Sequence, residues 1–288
     1  MIRCVLRLAT KGDRHSVLAL GVCEEEDWFG QAESSAEEVG EWVDEEGGIT
    51  AGVVYVEAGR VRGFAAPGRH GSCVLIADPV CPASAINILV PWLREHGPVQ
   101  VITFGADRER VAALERHGLR HIRSSFSLAR PADSPSLPGA DWPDGIDLAR
   151  YALGEDDEAV HALIYVHAAW VSVPGHTDRD LDAWREAMRP GLRAFLARRD
   201  GSPVGWIASR VLDSGVGYVS GLAVALSERR RGLGRALLLH GLADLVAAGA
   251  NSLALDAQAA NDTALGLYRS VGLEVKREWR VYADPPHA

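Results

Sequence analysis

The amino-acid sequence predicts an α/β protein that consists of two similar domains joined by a linker. Three observations support this prediction: a break in composition near the middle, the same order of strands and helices on both sides of it, and matched glycines. The break covers residues 130–145, which are rich in Pro, Asp and Ser and have no apolar period. We therefore expect a first domain at 1–130, a linker at 131–145 and a second domain at 146–288.

Each half alternates between strand and helix patterns. In the first half, a short strand at residues 2–8 precedes an acidic helical stretch, and residues 52–78 contain a hairpin and a third strand. In the second half, residues 146–152 form a strand, helical segments follow, and residues 192–211 form another hairpin. A further alternating strand covers residues 215–224. The shared order predicts two copies of one α/β arrangement.

Matched positions support a duplication. Gly63 in VRGFAA corresponds to Gly205 in PVGWIA, 142 positions later, and Gly118 corresponds to Gly272, 154 positions later. A nearly constant spacing of this length indicates a duplicated domain, because the repeats of solenoid proteins are far shorter. The alternative is that two α/β domains share their strand and turn patterns by chance.

The composition argues against several classes of protein. The net charge of −9 disfavours broad nucleic-acid binding, which needs a basic face. No apolar run is long enough to span a bilayer, and the first stretch, MIRCVLRLATKGDRHS, is charged where a signal peptide needs an apolar core. We therefore expect a cytoplasmic protein without membrane partners. The four cysteines lack metal or redox spacing, and we expect no metal.

One loop in the second half has the features of an anion-binding site. The strand Tyr218–Val224 precedes it, and a helical period that begins near Ala236 follows it. Glycines let backbone N–H groups approach an anion, the first turn of a helix leaves such groups free, and arginines add charge. The loop lacks the Walker and dinucleotide-binding patterns, and the alternative is an ordinary capped helix. Its residues are Arg229, Arg230, Arg231, Gly232, Leu233, Gly234 and Arg235.

Two motifs resemble those of the GNAT acetyltransferase superfamily. Arg229, Gly232 and Gly234 match the R/Q-x-x-G-x-G/A signature with which that superfamily binds acyl-CoA. The second motif follows in the order that is typical of the superfamily, and its matching residues are Asn261, Ala264, Tyr268, Gly272 and Leu273. The match covers the second half well and the first half only in strand order. The resemblance implies two tandem GNAT-like domains, each a mixed, mostly antiparallel sheet flanked by helices.

The resemblance also implies acetyl-CoA as the cosubstrate and suggests roles for individual residues. The loop amides from Arg230 to Arg235 are expected to bind the pyrophosphate, and Asn261 to hydrogen-bond near the pantetheine. Tyr268 is expected to protonate the departing thiolate, and the alternative for this side chain is a place in the core. The strand residues expected to hold the pantetheine are Leu222, Ala223 and Val224.

The general base departs from the common pattern of the superfamily. Many members place a glutamate on the strand before the loop, near the position of Tyr218, and this strand has no carboxylate. Other members use an acidic residue on the following strand, twelve residues before the tyrosine, and Asp256 has that spacing from Tyr268. Asp256 is therefore the candidate base, with Ser220 or a water chain as support. The alternative is a solvated carboxylate at a strand end.

The acceptor pocket of this superfamily corresponds to the segment around residues 161–184. His167, Trp170 and His176, together with Ser220, are the candidates to line it, although a histidine there is more often a packed helix residue. The first half lacks the chemistry, because CPASA stands in place of the glycines and arginines of the loop. The residues that replace Asn261, Tyr268 and Asp256 are Asp107, Leu114 and Ile102. We therefore expect a non-catalytic first domain.

The sequence thus predicts an acetyl-CoA-dependent N-acetyltransferase that acts on an amine of a small molecule or peptide by direct attack in a ternary complex. The main alternative is a non-catalytic regulatory protein that binds acyl-CoA. A third possibility, an aminoacyl-tRNA-dependent transferase, conflicts with the acidic chain and the intact acyl-CoA signature. We expect no nucleic-acid partner, and either a monomer, in which the two domains form an internal pseudo-dimer, or a homodimer.

Overall fold

Several consecutive residues are buried in β-strands such as those at Val74–Ala77, Arg193–Arg199 and Ser202–Val211, so apolar side chains lie on both faces of the sheets. The computed structural model describes residues 4–32, 34–68, 72–131, 134–166, 180–187 and 191–285. It divides into two compact units, Met1–Ser124 with Glu278–Ala288, and Ser125–Arg277. No helix among these described ranges is both long and apolar enough to cross a membrane.

The first unit contains a four-stranded antiparallel sheet in the order β1-β2-β3-β4. A further strand, β5, pairs antiparallel with the end of the last strand of the chain, β12, from Phe104↔Trp279 to Gln100↔Ala283. The strands are β1 Cys4–Leu8, β2 Val53–Glu57, β3 Arg60–Ala66, β4 Val74–Ala77, β5 Gln100–Phe104 and β12 Glu274–Ala283. The helices are α1 Arg14–Phe29, α2 Ala36–Glu45, α3 Pro82–Glu95 and α4 Arg108–Arg116.

The second unit contains strands in the order β6-β11-β10-β9-β8-β7, and all neighbours are antiparallel except β10 and β11. The strands are β6 Arg120–Arg130, β7 Ile146–Arg150, β8 Arg193–Arg199, β9 Ser202–Val211, β10 Val216–Val224 and β11 Ser252–Gln258. The helices are α5 Asp157–His161, which continues as a π-helical turn over Ala162–Val166, α6 Leu181–Ala187, α7 Leu233–Ala247 and α8 Asp262–Ser270. The mixed, mostly antiparallel α/β architecture predicted from the sequence is confirmed.

Each unit has two cores, one on each face of its sheet. In the second unit, the leucines of α7 pack with Val219 and Leu255 on one face. On the other face, residues of α5 and the π-helical turn pack with Trp184 and Trp206. The first unit repeats this plan, with α3 and α4 on one face and α1 and α2 on the other. Burial on both faces explains why the central strands are nearly continuous apolar runs.

The matched glycines of the two halves lie at equivalent places. A Cβ on Gly63 would lie 2.8 Å from Leu89 of α3, and a Cβ on Gly205 would lie 2.7 Å from Leu237 of α7. In both units the glycine therefore lets a helix pack closely on the sheet. Gly63 pairs with the last residue of β4, Ala77, and Gly205 with the last residue of β10. The registers make β4 the equivalent of β10.

The compact units do not follow the domain boundaries expected from the sequence. Residues 125–130 of β6 pair with β11 and belong to the second unit, whereas the end of β12 pairs with β5 and belongs to the first. The described part of the expected linker has no helix or strand, and Leu137 and Trp142 pack on the core of the second unit. Local sequence patterns identify the strands, but the choice of partner depends on residues far along the chain.

Candidate active site

The parallel ladder between β10 and β11 ends before either strand does. Its last pair is Val219 with Leu255, whereas β10 continues to Val224 and β11 to Gln258. Just past that pair, β10 has an irregularity in its pairing with β9, where Ser220 is exposed and donates a hydrogen bond to a β9 carbonyl at 3.3 Å. The two strands therefore separate next to the arginine-rich loop.

The loop after β10 holds five consecutive backbone N–H groups without an acceptor. The helix α7 starts at Leu233, after two left-handed residues, Arg230 with a φ of 65° and Gly232 with a φ of 89°. Within the described ranges, no oxygen accepts a hydrogen bond from the N–H groups of residues 230–234. These donors lie at the positive end of the helix dipole, which favours a bound anion.

The two glycines of this loop differ in their surroundings. A Cβ on Gly232 would meet nothing within 4 Å, so the loop surface here faces open space. A Cβ on Gly234 would lie 3.5 Å from Val224 and 3.6 Å from Leu267. The start of α7 therefore lies against the end of β10 and against α8, which brings both predicted motifs to one place.

A buried carboxylate anchors the loop from inside. Glu228 is 5% exposed, accepts hydrogen bonds from Arg199 at 3.1 and 3.2 Å, and lies 3.5 Å from the guanidinium of Arg231. Arg229 donates from Nε to the last carbonyl of β10 at 3.4 Å. Arg230, in contrast, is exposed on the loop. The arginines therefore both hold the loop in shape and give its surface a positive charge.

Asp256 lies on β11 just past the last ladder pair and is exposed. Its Oδ2 accepts a hydrogen bond from the phenol of Tyr218 at 3.0 Å, and its Oδ1 accepts one from Oγ of Ser127 at 2.5 Å. Burial, followed by the negative charge of Asp256, raises the pKa of Tyr218, so the phenol stays protonated and donates. Sequence reasoning does not find these two hydroxyls, because their contacts depend on strand register.

Tyr268 and Asn261 both lie on or next to α8, but their surroundings differ. Tyr268 is half-buried and packs against the core beside α7, and burial raises its pKa to about 12. Its hydroxyl has no hydrogen-bond partner in the described part of the chain. Asn261 caps α8, because its Oδ1 accepts a hydrogen bond from the N–H of Ala264 at 3.1 Å. The role of Asn261 beside pantetheine stays a prediction.

The segment predicted to line the acceptor pocket, residues 161–184, lies only partly within the described residues. A ring cluster there includes Trp184 and Trp206, whose centroids are 5.3 Å apart, and it shares a core with Ala223 of β10. The described residues contain no group of three or more His, Cys, Asp or Glu side chains that could hold a metal ion. Three predicted pocket residues lie outside the described residues: His167, Trp170 and His176.

Comparisons with known proteins agree with these features. A family model described as "Acetyltransferase (GNAT) family" matches residues 161–273. A relative from Rhodococcus jostii, named mycothiol acetyltransferase, is 31% identical over 77% of this chain and 79% of its own length. The chain belongs to the GNAT acetyltransferase family. A relative of the same name from Thermomonospora curvata is 28% identical over 67% of this chain and 66% of its own length, so the match spans slightly less than two thirds of that relative.

Two solved structures share the fold of this GNAT protein. A GCN5-related N-acetyltransferase from Sphaerobacter thermophilus has a TM-score of 0.78 at 22% identity, over 98% of this chain and 95% of that chain. A tandem GNAT protein from the clavulanic acid biosynthesis pathway has a TM-score of 0.66 at 15% identity, over 100% of both chains. At these identities the likeness concerns the fold, and it agrees with the predicted tandem arrangement.

Members of the GNAT family take their acetyl group from acetyl-CoA, and the loop of the second unit fits the diphosphate of that cosubstrate. Five backbone donors, a helix N-terminus and an exposed arginine lie together, and the glycine that leads into the helix leaves the space above the loop open. Oxyanions bind well at such a place because each N–H group satisfies one oxygen without a side chain between them.

The equivalent loop of the first unit offers few donors. It is shorter, because β4 ends at Ala77 and α3 begins at Pro82, which has no N–H group. The N–H groups of Val80 and Cys81 already donate to Asp78, at 2.9 and 3.1 Å. Ser84 donates to the carbonyl of residue 81 at 3.1 Å. A diphosphate would find no row of free amides here.

The edge of β4 is also occupied by the first unit's own side chains. Arg110 donates a hydrogen bond to the carbonyl of Leu75, and Glu24 accepts one from the N–H of Ala77 at 2.7 Å. Arg110 and Glu24 are buried and form an ion pair. By strand register, Leu75 and Ala77 are the equivalents of the residues in β10 that were predicted to hold the pantetheine.

Proposed function

We propose that this GNAT protein transfers the acetyl group of acetyl-CoA to an amine of a small molecule or peptide, and that residues 146–288 carry the catalytic domain. The observation that carries the proposal is the row of five backbone donors at residues 230–234, next to the point where β10 and β11 separate. The first half, 1–130, is the non-catalytic partner in this proposal, because its equivalent loop lacks such donors.

The cosubstrate is held by strand and loop in this proposal. The amides of residues 230–235 bind the diphosphate, and Leu222, Ala223 and Val224 provide the strand edge along which the pantetheine lies. Asn261 forms a hydrogen bond near the pantetheine and also caps α8. The exposed Arg230 adds charge at the diphosphate.

The chemistry requires a base, an acid and direct attack in a ternary complex. Acetyl-CoA supplies the acetyl group as an activated thioester. Asp256 accepts a proton from the acceptor ammonium, so that the neutral amine attacks the carbonyl carbon and a C–N bond forms. When the C–S bond breaks, Tyr268 donates its proton toward the departing sulfur and regains one from solvent. The second proton of the nitrogen and the proton held by Asp256 both leave to solvent, so that the net reaction yields the amide, coenzyme A as the free thiol and one proton.

The acceptor is a primary amine in this proposal. The names of the relatives from Rhodococcus jostii and Thermomonospora curvata suggest mycothiol without its acetyl group as the first acceptor to assay. A panel of amino sugars, amino acids and short peptides tests the broader class. Thiol release from acetyl-CoA measures turnover with each amine.

Two variants test the proposed site. Tyr268→Phe should lower kcat roughly 100-fold with little change in the KM for acetyl-CoA, because only the proton donor is lost. Arg231→Ala combined with Gly232→Asp should weaken acetyl-CoA binding roughly 100-fold, because an aspartate would repel the diphosphate. Calorimetry measures the second effect. Unchanged affinity in the double variant would refute the loop assignment, and binding without turnover on any amine would favour the acyl-CoA-binding regulator.

A further inference from the structure

The carboxylate of Asp256 is held at both of its oxygens. Oδ1 accepts a hydrogen bond from Ser127 Oγ at 2.5 Å, and Oδ2 accepts one from the Tyr218 phenol at 3.0 Å. Ser127 lies directly opposite Asp256 in the antiparallel pair of β6 and β11. Tyr218 reaches the carboxylate from the other side, from β10, whose register places it beside Ala254. Two neighbouring strands therefore fix the rotation of one side chain.

The two hydrogen bonds leave Asp256 able to accept a proton from the acceptor amine. A carboxylate oxygen has two lone pairs, so each oxygen that accepts one hydrogen bond keeps a second position for a proton from the acceptor. Asp256 is exposed, which leaves that position accessible. Burial and the charge of Asp256 raise the pKa of Tyr218, and the charge of Arg210, opposite Tyr218 on β9, offsets this only in part. The phenol is therefore a permanent donor at assay pH.

We propose that Tyr218 and Ser127 are positioning residues that orient the carboxylate of Asp256 as the base for the acceptor amine. This inference rests on the proposed function. Ser127 precedes the expected linker at 131–145, so the strand that ends the first half of the sequence supplies part of the site in the second unit.

A matched pair of variants isolates the hydroxyl of Ser127. Threonine and valine have nearly the same shape and both suit a strand, so Ser127→Thr and Ser127→Val differ mainly in the hydrogen bond. We expect Ser127→Thr to retain kcat within about twofold and Ser127→Val to lose roughly tenfold, since one hydrogen bond to a charged group contributes about 1.5 kcal/mol. The KM for acetyl-CoA should stay the same in both, because neither variant touches the loop.

The split between kcat and KM separates positioning from a structural role. In Ser127→Val and Tyr218→Phe, kcat per chain that binds acetyl-CoA should fall while the KM for acetyl-CoA stays unchanged, because only the orientation of Asp256 toward the amine is lost. A structural defect would instead lower the melting temperature and the fraction of chain that binds acetyl-CoA, without changing kcat per binding-competent chain. Should Tyr218→Phe fail to fold, the Ser127 pair still decides the matter.

The outcomes separate the two levels of the proposal. Equal kcat in Ser127→Val and Ser127→Thr would overturn the positioning role and leave the acetyltransferase proposal intact. A wild-type protein that releases no coenzyme A with any amine would overturn the proposed function itself, and the positioning role with it. A loss of kcat that depends on the Ser127 hydroxyl, with an unchanged KM for acetyl-CoA, supports both.

Discussion

At the scale of single residues, Tyr268 combines a half-buried ring with a hydroxyl that has no hydrogen-bond partner among the described residues. Burial disfavours the phenolate and raises the pKa of Tyr268 to about 12, so the group keeps its proton through the whole range in which an assay is practical. We expect the rate to show no alkaline limb from this residue up to about pH 10. A pH–rate profile from pH 7 to 10 measures this. An alkaline limb near pH 8 to 9 that disappears in Tyr268→Phe would contradict the expectation.

Gly232 offers a second test at this scale, because α7 has a matched glycine at its other end. Gly232 and Gly249 have φ values of 89° and 93°, and a Cβ on either would meet nothing within 4 Å. Alanine at each position therefore costs a similar amount of stability, about 1 to 2 kcal/mol, from backbone strain alone. Only Gly232→Ala should weaken acetyl-CoA binding, by roughly tenfold or more, because its Cβ enters the space above the amides.

Calorimetric titration of both variants, with their melting temperatures, checks this prediction. Gly249→Ala is the control for strain, since it lies away from the loop at the end of the helix. Equal acetyl-CoA affinity in the two variants would show that the left-handed glycine before α7 serves the backbone only. A similar drop in melting temperature with different affinities is the result that we expect.

The spacing of residues identifies Asp256, but not what holds it. The count of twelve residues between Asp256 and Tyr268 can be read from the sequence, because it follows a family motif. The contact with Ser127 needs the register of two strands that lie 129 positions apart in the chain. In the sequence, Tyr218 is notable only because a carboxylate is missing at its position. The contact of its phenol with Asp256 follows from the pairing of β10 with β11.

At the scale of elements, one buried ion pair joins α1, α4 and β4 in the first unit. Glu24 of α1 binds Arg110 of α4, and together they bond to the backbone of β4. Burial outweighs the attraction of Arg110 and raises the pKa of Glu24 to about 7. In the unfolded chain, the pKa of a glutamate is about 4.3. Protonation of Glu24 therefore stabilises the folded state fully below about pH 4.3, and this stabilisation is lost as the pH rises through about 7.

The variant Glu24→Gln should remove this pH dependence. From pH 5 to 8, the free energy of unfolding of the wild type should fall relative to that of Glu24→Gln, by up to roughly 3 kcal/mol. The difference between the two proteins isolates Glu24, because His117 and His240, whose pKa values burial lowers, contribute the opposite slope to both. Urea denaturation at several pH values measures it.

A surface ion pair supplies the control for Glu24. Arg14 and Asp44 are both about half exposed and lie 2.8 Å apart. Asp44→Asn should change the free energy of unfolding by less than about 1 kcal/mol and leave the slope with pH the same as in the wild type. A constant difference between wild type and Glu24→Gln across this pH range would show that Glu24 is ionised throughout.

The elements themselves follow from the sequence more closely than their pairing does. The strand patterns of the sequence predict β2, β3, β4, β8, β9 and β10 at nearly the positions observed, because burial against the cores selects apolar residues there. The partners of β6 and β12 do not follow, since a strand with exposed and half-buried residues fits several edges equally well. The described residues of the Pro-rich stretch have no helix or strand, and Leu137 and Trp142 pack on a core.

At the scale of the whole molecule, the two units have equivalent strand-to-helix loops, and among the described residues only the loop of the second unit offers a row of free amides. In the second unit, eight residues separate β10 from α7 and leave a row of free amides. In the first, four residues separate β4 from α3, and Asp78 takes up the amides of that turn. The strand edge beside this turn is bonded to Arg110 and Glu24.

This contrast predicts one acetyl-CoA per chain. Binding in the first unit would require displacing a buried ion pair, and an unpaired buried charge costs about 3 to 5 kcal/mol, or more than a hundredfold in affinity. Titration calorimetry of the full chain should therefore give a stoichiometry near 1, and Arg231→Ala combined with Gly232→Asp should weaken binding at this single site roughly 100-fold. A stoichiometry of 2, or a full-strength site that survives the double variant, would show that the first unit opens its ion pair to admit the cosubstrate.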